Sequence, residues 1–416
     1  MIRSGRPRRG TGAAARSAPA GRRLACGALA SVVSALAGVV GALVWALPVT
    51  AAPAGCTRPA GVHTAGNPWA TDLLGPRRVW PLSTGSGVRV AVLGTGVDAR
   101  NAQFRPGQVE DGRDVLLNRD GATDDCDGRG TFAAGLIAAR PHDETTFAGL
   151  APGVSVLPVR YTQTTSQGDG AVDPGRLAAA IDVAVAARAR VIYVVIPATR
   201  NTAQLRAATA RAIAADIVVV SPAASGPPAR GATSYPTALP GVLAVGAFGP
   251  DGAVTSTESG DHIGVAAPGK QLLSLSAGAG GRLGHSPTVD DPAYAAAFVA
   301  GTAALLRAYR PELRTAEVVR RIESTAHRTA FDGHHPQLGW GMVDPYRAVA
   351  AEGVEDPPGA VGASAQPVAA ARPDPGPQVH PWVLPLASAG LVAALLLGIG
   401  TAVARRGRDR GWRPGS

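Results

Sequence analysis

The sequence predicts an α/β fold in which a mainly parallel central sheet is covered by helices on both faces. Short apolar runs alternate along the chain with longer amphipathic stretches, a pattern typical of strands joined by crossover helices. Five runs have the length and composition of buried strands: 88–93, 154–159, 191–196, 217–220 and 242–245. About 300 residues of this kind are enough to bury a hydrophobic core.

Two of the stretches between these runs, 173–188 and 202–214, are predicted to be helices. Asp173 can cap the first helix, and Pro174 suits its first turn because no N–H is needed there. Helices placed between successive strands are the crossover connections that a parallel sheet requires.

The formal net charge of +10 would favour a nucleic-acid partner only if the basic residues were clustered on the folded part of the chain. Instead, seven arginines precede residue 24, and five arginines against one aspartate follow residue 404. These ends carry +7 and +4, which leaves −1 for all residues between them. We therefore expect no nucleic-acid partner, and we attribute the basic ends to membrane topology.

The N-terminal residues 1–52 are predicted to be a signal peptide, with an Arg-rich start, an apolar segment at 24–48 and small residues after it. The apolar segment is longer than a usual signal core, so an uncleaved anchor remains an alternative. Residues 53–353 carry the alternating pattern and form the predicted folded domain.

The C-terminal part predicts a tether to a membrane. Residues 354–381 are rich in Pro, Ala and Gly and are expected to form an extended linker. Residues 382–404 contain no charge and are long enough to cross a bilayer, and the basic tail 405–416 suits the cytoplasmic side. The predicted location is the cell membrane, with a single span and the main domain outside the cytoplasm.

Of the three cysteines, Cys26 lies in the apolar N-terminal segment, which leaves Cys56 and Cys126 in the exported part. Two cysteines in an exported chain normally form a disulfide, although two unpaired thiols remain the alternative. The eight histidines are scattered apart from His334 and His335, which we place in a surface loop. We expect neither a metal site nor a cofactor. The sequence does not decide whether the domain holds a structural calcium.

Four segments in order resemble the subtilase family of serine proteases: 90–97, 127–135, 235–247 and 291–301. The first resembles the strand and turn that carry the aspartate of that family. The second and the last resemble the helix starts that carry its histidine and its serine. The resemblance implies a three-layer, subtilisin-like fold for the domain.

The catalytic positions of the family are occupied here by residues of other kinds. Gly94 stands at the aspartate position, Arg129 at the histidine position and Ala293 at the serine position. A serine nucleophile needs a base and a carboxylate that orients the base, and these three residues supply none of the three. Ser225 lies at or near the position of the asparagine that stabilises the oxyanion. The sequence therefore predicts a pseudoprotease, that is, no enzyme.

Several polar residues lie near these positions along the chain, and a rewired site built from them is the alternative. Asp98 follows Gly94 by four residues, and four more precede Ala293: His285, Ser286, Asp290 and Asp291. Triad geometry tolerates little displacement, which argues against such a site.

The predicted strand 191–196 also departs from the family, which has polar residues where Tyr193 and Val195 stand. Because that strand lines the substrate cleft in the family, peptide binding is in doubt as well.

Residues 94–99 also fit the dinucleotide fingerprint G-x-G-x-x-A after a strand. That fingerprint requires a helix to open at the same place, but residues 100–107 are not amphipathic and Pro106 would end a helix. We therefore expect no dinucleotide.

Within the subtilases, the layout resembles that of the mycosins, membrane-anchored proteases linked to type VII secretion. The shared features are the exported N-terminus, the cysteine pair, the linker and the C-terminal span. This resemblance implies type VII secretion channel subunits as partners and a structural or regulatory role. The alternatives are an active mycosin-like endopeptidase with non-standard catalytic residues, and a decoy that binds peptides without joining a complex.

Overall fold

An eight-stranded sheet forms the centre of the computed structural model, which describes residues 56–163, 172–224, 231–328, 333–352 and Arg406. The strands are β1 (Arg89–Gly94), β2 (Arg113–Asp114), β3 (Arg119–Asp120), β4 (Ser155–Arg160), β5 (Val191–Val194), β6 (Val218–Pro222), β7 (Leu243–Phe248) and β8 (Ile263–Pro268). Their order across the sheet is β3-β2-β4-β1-β5-β6-β7-β8. All neighbours are parallel except β2 and β3, which are antiparallel.

Two short helices precede the first strand, and the other helices lie between the strands or after them. They are α1 (Trp69–Leu74), α2 (Pro76–Val79), α3 (Arg129–Ala138), α4 (Pro174–Ala186), α5 (Ala203–Ala214), α6 (Ala295–Tyr309), α7 (Thr315–Ser324) and α8 (Pro345–Ala350). A short 3₁₀ turn, Pro292–Tyr294, leads directly into α6. A second sheet pairs β9 (Leu272–Leu275) with β10 (His285–Val289) in antiparallel fashion.

Successive side chains of the strands point to opposite faces of the sheet and pack into two separate hydrophobic cores. The fold therefore has three layers, with helices on both faces of the sheet. Val90 and Val92 of β1 pack into the core that contains α3 and α6. Ala91 and Leu93 of the same strand point to the other face, where α4 and α5 cover the sheet. Because both faces are buried, the central strands are almost entirely apolar.

The two predicted helices form, and the first has the cap expected from Asp173. The carboxylate of Asp173 accepts a hydrogen bond from the Gly175 N–H at 2.8 Å, with Pro174 in the first turn. The Thr202 hydroxyl accepts one from the Leu205 N–H at 3.2 Å at the start of α5. Side-chain caps of this kind replace hydrogen bonds that the first turn of a helix cannot make.

The α/β fold class is confirmed, and all five predicted strands are present with boundaries that differ by at most three residues. The predicted signal peptide, the linker and the membrane span at 382–404 lie outside the described residues. In the parts of the chain that the structure describes, no helix combines the length and the apolar character needed to cross a membrane. Residues 1–358 and 359–416 form two separate units, and Arg406 is the only described residue of the second.

Candidate functional site

The strand order places a crevice at the carboxyl end of β1, because the chain leaves β1 to form β4 on one side and then β5 on the other. Open α/β sheets bind their ligands at such a reversal. Gly94 is the last residue of β1, Arg129 is the first residue of α3, and Ala293 lies in the 3₁₀ turn before α6. The three positions predicted from the sequence therefore surround one crevice.

The space beside Gly94 is taken by Val195. A Cβ atom placed on Gly94 would lie 3.2 Å from Val195 Cγ2 and 3.3 Å from Val195 Cβ. The same Cβ would be 3.9 Å from the Cα of Gly130, which follows Arg129. The isopropyl group of Val195 thus fills part of the volume that a carboxylate at position 94 would occupy.

Arg129 points across the crevice to the start of α6. Its Nη2 donates to Asp291 Oδ2 at 2.5 Å, and its guanidinium carbon lies 5.4 Å from the centre of the Tyr294 ring. Burial alone would lower the pKa of Arg129, but the facing oxygens of Tyr294 and Asp291 hold that pKa above the ordinary arginine value. The group stays positively charged and cannot take a proton from a nucleophile.

Ala293 is 4% exposed, and its backbone carbonyl accepts a hydrogen bond from the Tyr193 hydroxyl at 3.0 Å. The Asp291 carboxylate, besides its ion pair, accepts from the Ala293 N–H at 2.9 Å and so caps the 3₁₀ turn. Tyr193 is completely buried, and burial raises its pKa well above the usual tyrosine value. Tyrosine, arginine and aspartate side chains thus tie β5, α3 and the start of α6 together.

A buried carboxylate that the sequence reasoning missed holds the start of α3. Asp125 Oδ1 accepts from the Thr95 hydroxyl at 2.8 Å, and Asp125 Oδ2 accepts from the N–H and the hydroxyl of Thr131 at 2.8 and 2.7 Å. Burial raises the pKa of Asp125, although these hydrogen bonds act in the opposite direction. The signal available in the sequence was an aspartate just before the helix start, with a threonine in its first turn.

A disulfide joins Cys56 to Cys126, next to this loop. Thr57 reinforces the connection, because its N–H donates to the Cys126 carbonyl at 2.9 Å and its hydroxyl donates to the Asp127 carbonyl at 2.6 Å. The described N-terminal segment is thus fastened to the loop that leads into Arg129.

Of the residues considered for a rewired site, Asp291 lies at the crevice, where it pairs with Arg129. Three others are engaged elsewhere. Asp98 Oδ1 accepts from Arg100 Nε at 2.8 Å, and Asp290 Oδ1 accepts from the Gln271 N–H at 2.8 Å. His285 Nε2 lies 2.7 Å from Gln103 Oε1, and its Nδ1 accepts from the His63 N–H at 3.0 Å. Both ring nitrogens of His285 are therefore occupied, and none of these three groups contacts Arg129.

Burial, assisted by His63, lowers the pKa of His285 to about 4, so its ring is neutral at pH 7. Ser286 lies beside His285 in β10. Ser225, expected at or near the oxyanion position, lies outside the described residues.

The glycine-rich segment after β1 is packed against protein and has no room for a pyrophosphate. A Cβ atom on Gly96 would lie 2.5 Å from the Asp124 carbonyl oxygen, and one on Gly130 would lie 1.8 Å from the Gly96 carbonyl oxygen. Turns follow at 99–104 where the dinucleotide fingerprint requires a helix.

Among the described residues, no cluster of three or more His, Cys, Asp or Glu side chains could hold a metal ion. His334 is half-buried and its Nε2 lies 2.6 Å from the Ile263 carbonyl oxygen.

Residues 85–341 match the subtilase family. The chain is 34% identical over 336 residues to mycosin-4 of Mycobacterium tuberculosis, which covers 72% of each protein. It also resembles a solved structure described as the serine protease MycP1, an essential component of the type VII (ESX-1) secretion system, with a TM-score of 0.61 and 29% identity. That match covers 71% of this chain and 92% of the solved one.

A third similarity is to a chain of an intact ESX-5 inner membrane complex. The TM-score is 0.61 at 27% identity, over 84% of this chain and 94% of the solved one. The subtilisin-like, mycosin-type architecture expected from the motifs is thereby confirmed.

These comparisons contradict the expectation that the chain is not an enzyme. The expectation relied on the residues at the catalytic and oxyanion positions, whereas the similar solved structure of MycP1 is described as that of a serine protease, which points to an enzyme. The three positions themselves still hold no carboxylate, no imidazole and no hydroxyl. Any peptide hydrolysis by this chain must therefore use other groups.

Proposed function

The chain belongs to the subtilase family and to its mycosin branch, and from this we propose that it is a structural or regulatory subunit of a type VII secretion complex in the membrane. The observation that carries the proposal is the similarity to a chain of the ESX-5 inner membrane complex. That similarity extends over 84% of this chain and 94% of the other.

The proposed topology follows from the sequence of the two ends. A signal peptide in residues 1–52 exports the domain 53–353, and the uncharged segment 382–404 anchors it through the linker 354–381. The disulfide between Cys56 and Cys126 supports a location outside the cytoplasm, because disulfides persist in oxidising compartments. The partners are then channel subunits that face the same side of the membrane.

The crevice supports a role in assembly. At the position of the family's histidine this chain carries Arg129, and its ion pair with Asp291, two residues before the serine position, ties the start of α3 to the turn that leads into α6. This ion pair stabilises a fixed surface at the crevice. The proposed assembly role depends on that surface and does not depend on proton transfer at positions 94, 129 and 293.

A tagged pull-down of the full-length protein from detergent-solubilised membranes tests the assembly role. We expect mass spectrometry to identify type VII channel subunits, with an unrelated tagged single-span protein from the same membranes as the control. Recovery of the tagged protein alone would contradict the assembly role and favour a decoy that binds peptides without a complex.

Peptide hydrolysis is the second candidate, favoured by the description of the similar protein MycP1 as a serine protease. A fluorophosphonate probe followed by peptide mapping identifies any reactive serine directly. If hydrolysis depends on the alternative residues, the variants His285→Ala and Ser286→Ala abolish it. Hydrolysis that survives both changes would exclude those two residues.

A further inference from the structure

A pocket of about 220 Å³ opens on the loop after β1 and lies outside the crevice residues described above. Phe104 and Val109, which are 6% and 8% exposed, form an apolar wall. Arg100 and Arg105 line the pocket as well, and both are exposed. The pocket therefore combines an apolar wall with cationic side chains at its opening.

Two buried side chains hold the loop in place. Asn101 Nδ2 donates to the Gly284 carbonyl at 2.7 Å, and Asn101 Oδ1 accepts from the Gln103 N–H at 3.1 Å. Gln108 Nε2 donates to the Ala138 carbonyl at 2.9 Å, while its Oε1 accepts from the Arg105 N–H at 3.0 Å. Asn101 and Gln108 are 2% and 0% exposed, so the backbone that carries Arg105 is fixed in advance.

The opposite wall is fastened through Asp98. Its Oδ1 and Oδ2 accept from Nε and Nη2 of Arg100 at 2.8 and 3.0 Å, and Oδ2 also accepts from the Gly278 N–H at 2.8 Å. The Arg100 carbonyl in turn accepts from the Gly281 N–H at 2.7 Å. The Asp98 carboxylate is thus fully used in holding Arg100 and the glycine turn, and it does not neutralise Arg105.

Arg105 carries the positive charge of the pocket that is left without a neighbouring carboxylate in the part of the chain that the structure describes. Among the described residues, no carboxylate lies within ion-pair distance of its guanidinium, in contrast to Arg100. A guanidinium offers two parallel N–H donors that match the two oxygens of a carboxylate. A cavity of this size is smaller than usual small-molecule sites, but it is large enough for one side chain.

We propose that this pocket binds a carboxylate side chain of a partner polypeptide, with Arg105 pairing with the carboxylate and the wall of Phe104 and Val109 covering its methylene groups. Fixed backbone on both sides reduces the ordering cost of binding. The proposal stands whether or not the chain joins a secretion complex, because it concerns only the chemistry of the pocket.

The test uses the full-length protein in detergent and ligand-observed saturation-transfer NMR. The probe is N-acetylglutamic acid α-amide, whose only charge is the side-chain carboxylate, and N-acetylglutamine α-amide is its neutral match. We expect the glutamate probe to bind at least about tenfold more tightly than the glutamine probe. Arg105→Gln should weaken the glutamate probe by about tenfold, and Arg105→Lys by less, since lysine keeps the charge but not the fork.

Arg206→Gln is the matched control, because Arg206 is an exposed arginine on α5 and should leave binding unchanged. A second variant, Ala102→Glu, places a carboxylate on an exposed residue of the pocket and should reduce binding of the glutamate probe. Equal binding of the two probes, or full binding by Arg105→Gln, overturns the proposal. If inorganic phosphate displaces the probe with higher affinity, the site belongs to a phosphate-bearing ligand and the polypeptide assignment is wrong.

Discussion

Asp291 makes an ion pair with Arg129 and also caps a helical turn, and these two interactions use different oxygens of its carboxylate. A substitution can therefore remove the ion pair and keep the cap. Asp291 Oδ2 holds Arg129 at 2.5 Å, while Asp291 Oδ1 caps the 3₁₀ turn at the Ala293 N–H. Asparagine is as good a cap as aspartate, so Asp291→Asn removes the negative charge and keeps the cap. Asp291→Ala removes both interactions.

The expected magnitudes follow from partial burial. The two side chains are 23% and 19% exposed, between the surface pairs that contribute about 1 kcal/mol or less and the buried pairs whose disruption costs about 3–5 kcal/mol. We expect Asp291→Asn to lower the free energy of unfolding by about 2 kcal/mol and Asp291→Ala by about 3 kcal/mol, since a lost cap costs about 1 kcal/mol. The double variant Arg129→Met with Asp291→Asn should recover most of the loss, because it leaves no unpaired charge.

Thermal unfolding of the full-length protein measures these differences, and about 2 kcal/mol should lower the midpoint by roughly 5 °C. Asp182→Asn is the control, because Asp182 pairs with Arg211 at the surface, where the side chains are 43% and 53% exposed. We expect that change to cost less than about 0.5 kcal/mol. If Asp291→Asn costs no more than Asp182→Asn, the ion pair does not stabilise the crevice and the reasoning is wrong.

Three further changes test the site and its surroundings. Replacing Cys56 and Cys126 by serine removes a link across 70 residues and should cost about 4 kcal/mol, measured as a fall in the unfolding midpoint. Gly94→Asp should destabilise by about 1–3 kcal/mol because its Cβ meets Val195, and adding Val195→Ala should restore part of that loss in the same assay. Because the pKa of His285 is about 4 when folded and 6.5 when unfolded, the unfolded state binds more protons between these values. Stability should therefore fall as the pH drops from 6.5 to 4, by about 3 kcal/mol in all, and His285→Gln should flatten that part of the stability curve.

For each of these changes, one outcome would contradict the prediction. A disulfide-free variant with an unchanged midpoint would show that hydrogen bonds such as that from Thr57 to Asp127 hold the N-terminal segment by themselves. If Val195→Ala does not reduce the loss of stability caused by Gly94→Asp, that loss comes mainly from burying an unpaired carboxylate and not from crowding against Val195. An unchanged pH dependence in His285→Gln would assign acid destabilisation to other groups.

Much of the architecture was predictable because its signals are local. The Val-rich runs that became β1, β4, β5, β6 and β7 are buried on both faces, so their composition alone identifies them. The strands that were not predicted lack this signal. β8 contains glycine and alanines and ends in proline, and β10 is partly exposed and contains Pro287. Such segments become strands because a neighbouring strand pairs with them.

Local patterns in the chain were enough to predict the succession of strands and helices, the basic ends, and Gly94, Arg129 and Ala293 as the residues at the crevice. Only the tertiary structure showed that Arg129 pairs with Asp291 across 162 residues, that Val195 fills the space beside Gly94, and that His285 faces Gln103 instead of the crevice. The difference lies in the distance along the chain over which each interaction acts. Caps and apolar periodicity act within a few residues, whereas these contacts depend on how distant elements pack and leave no local pattern in the chain.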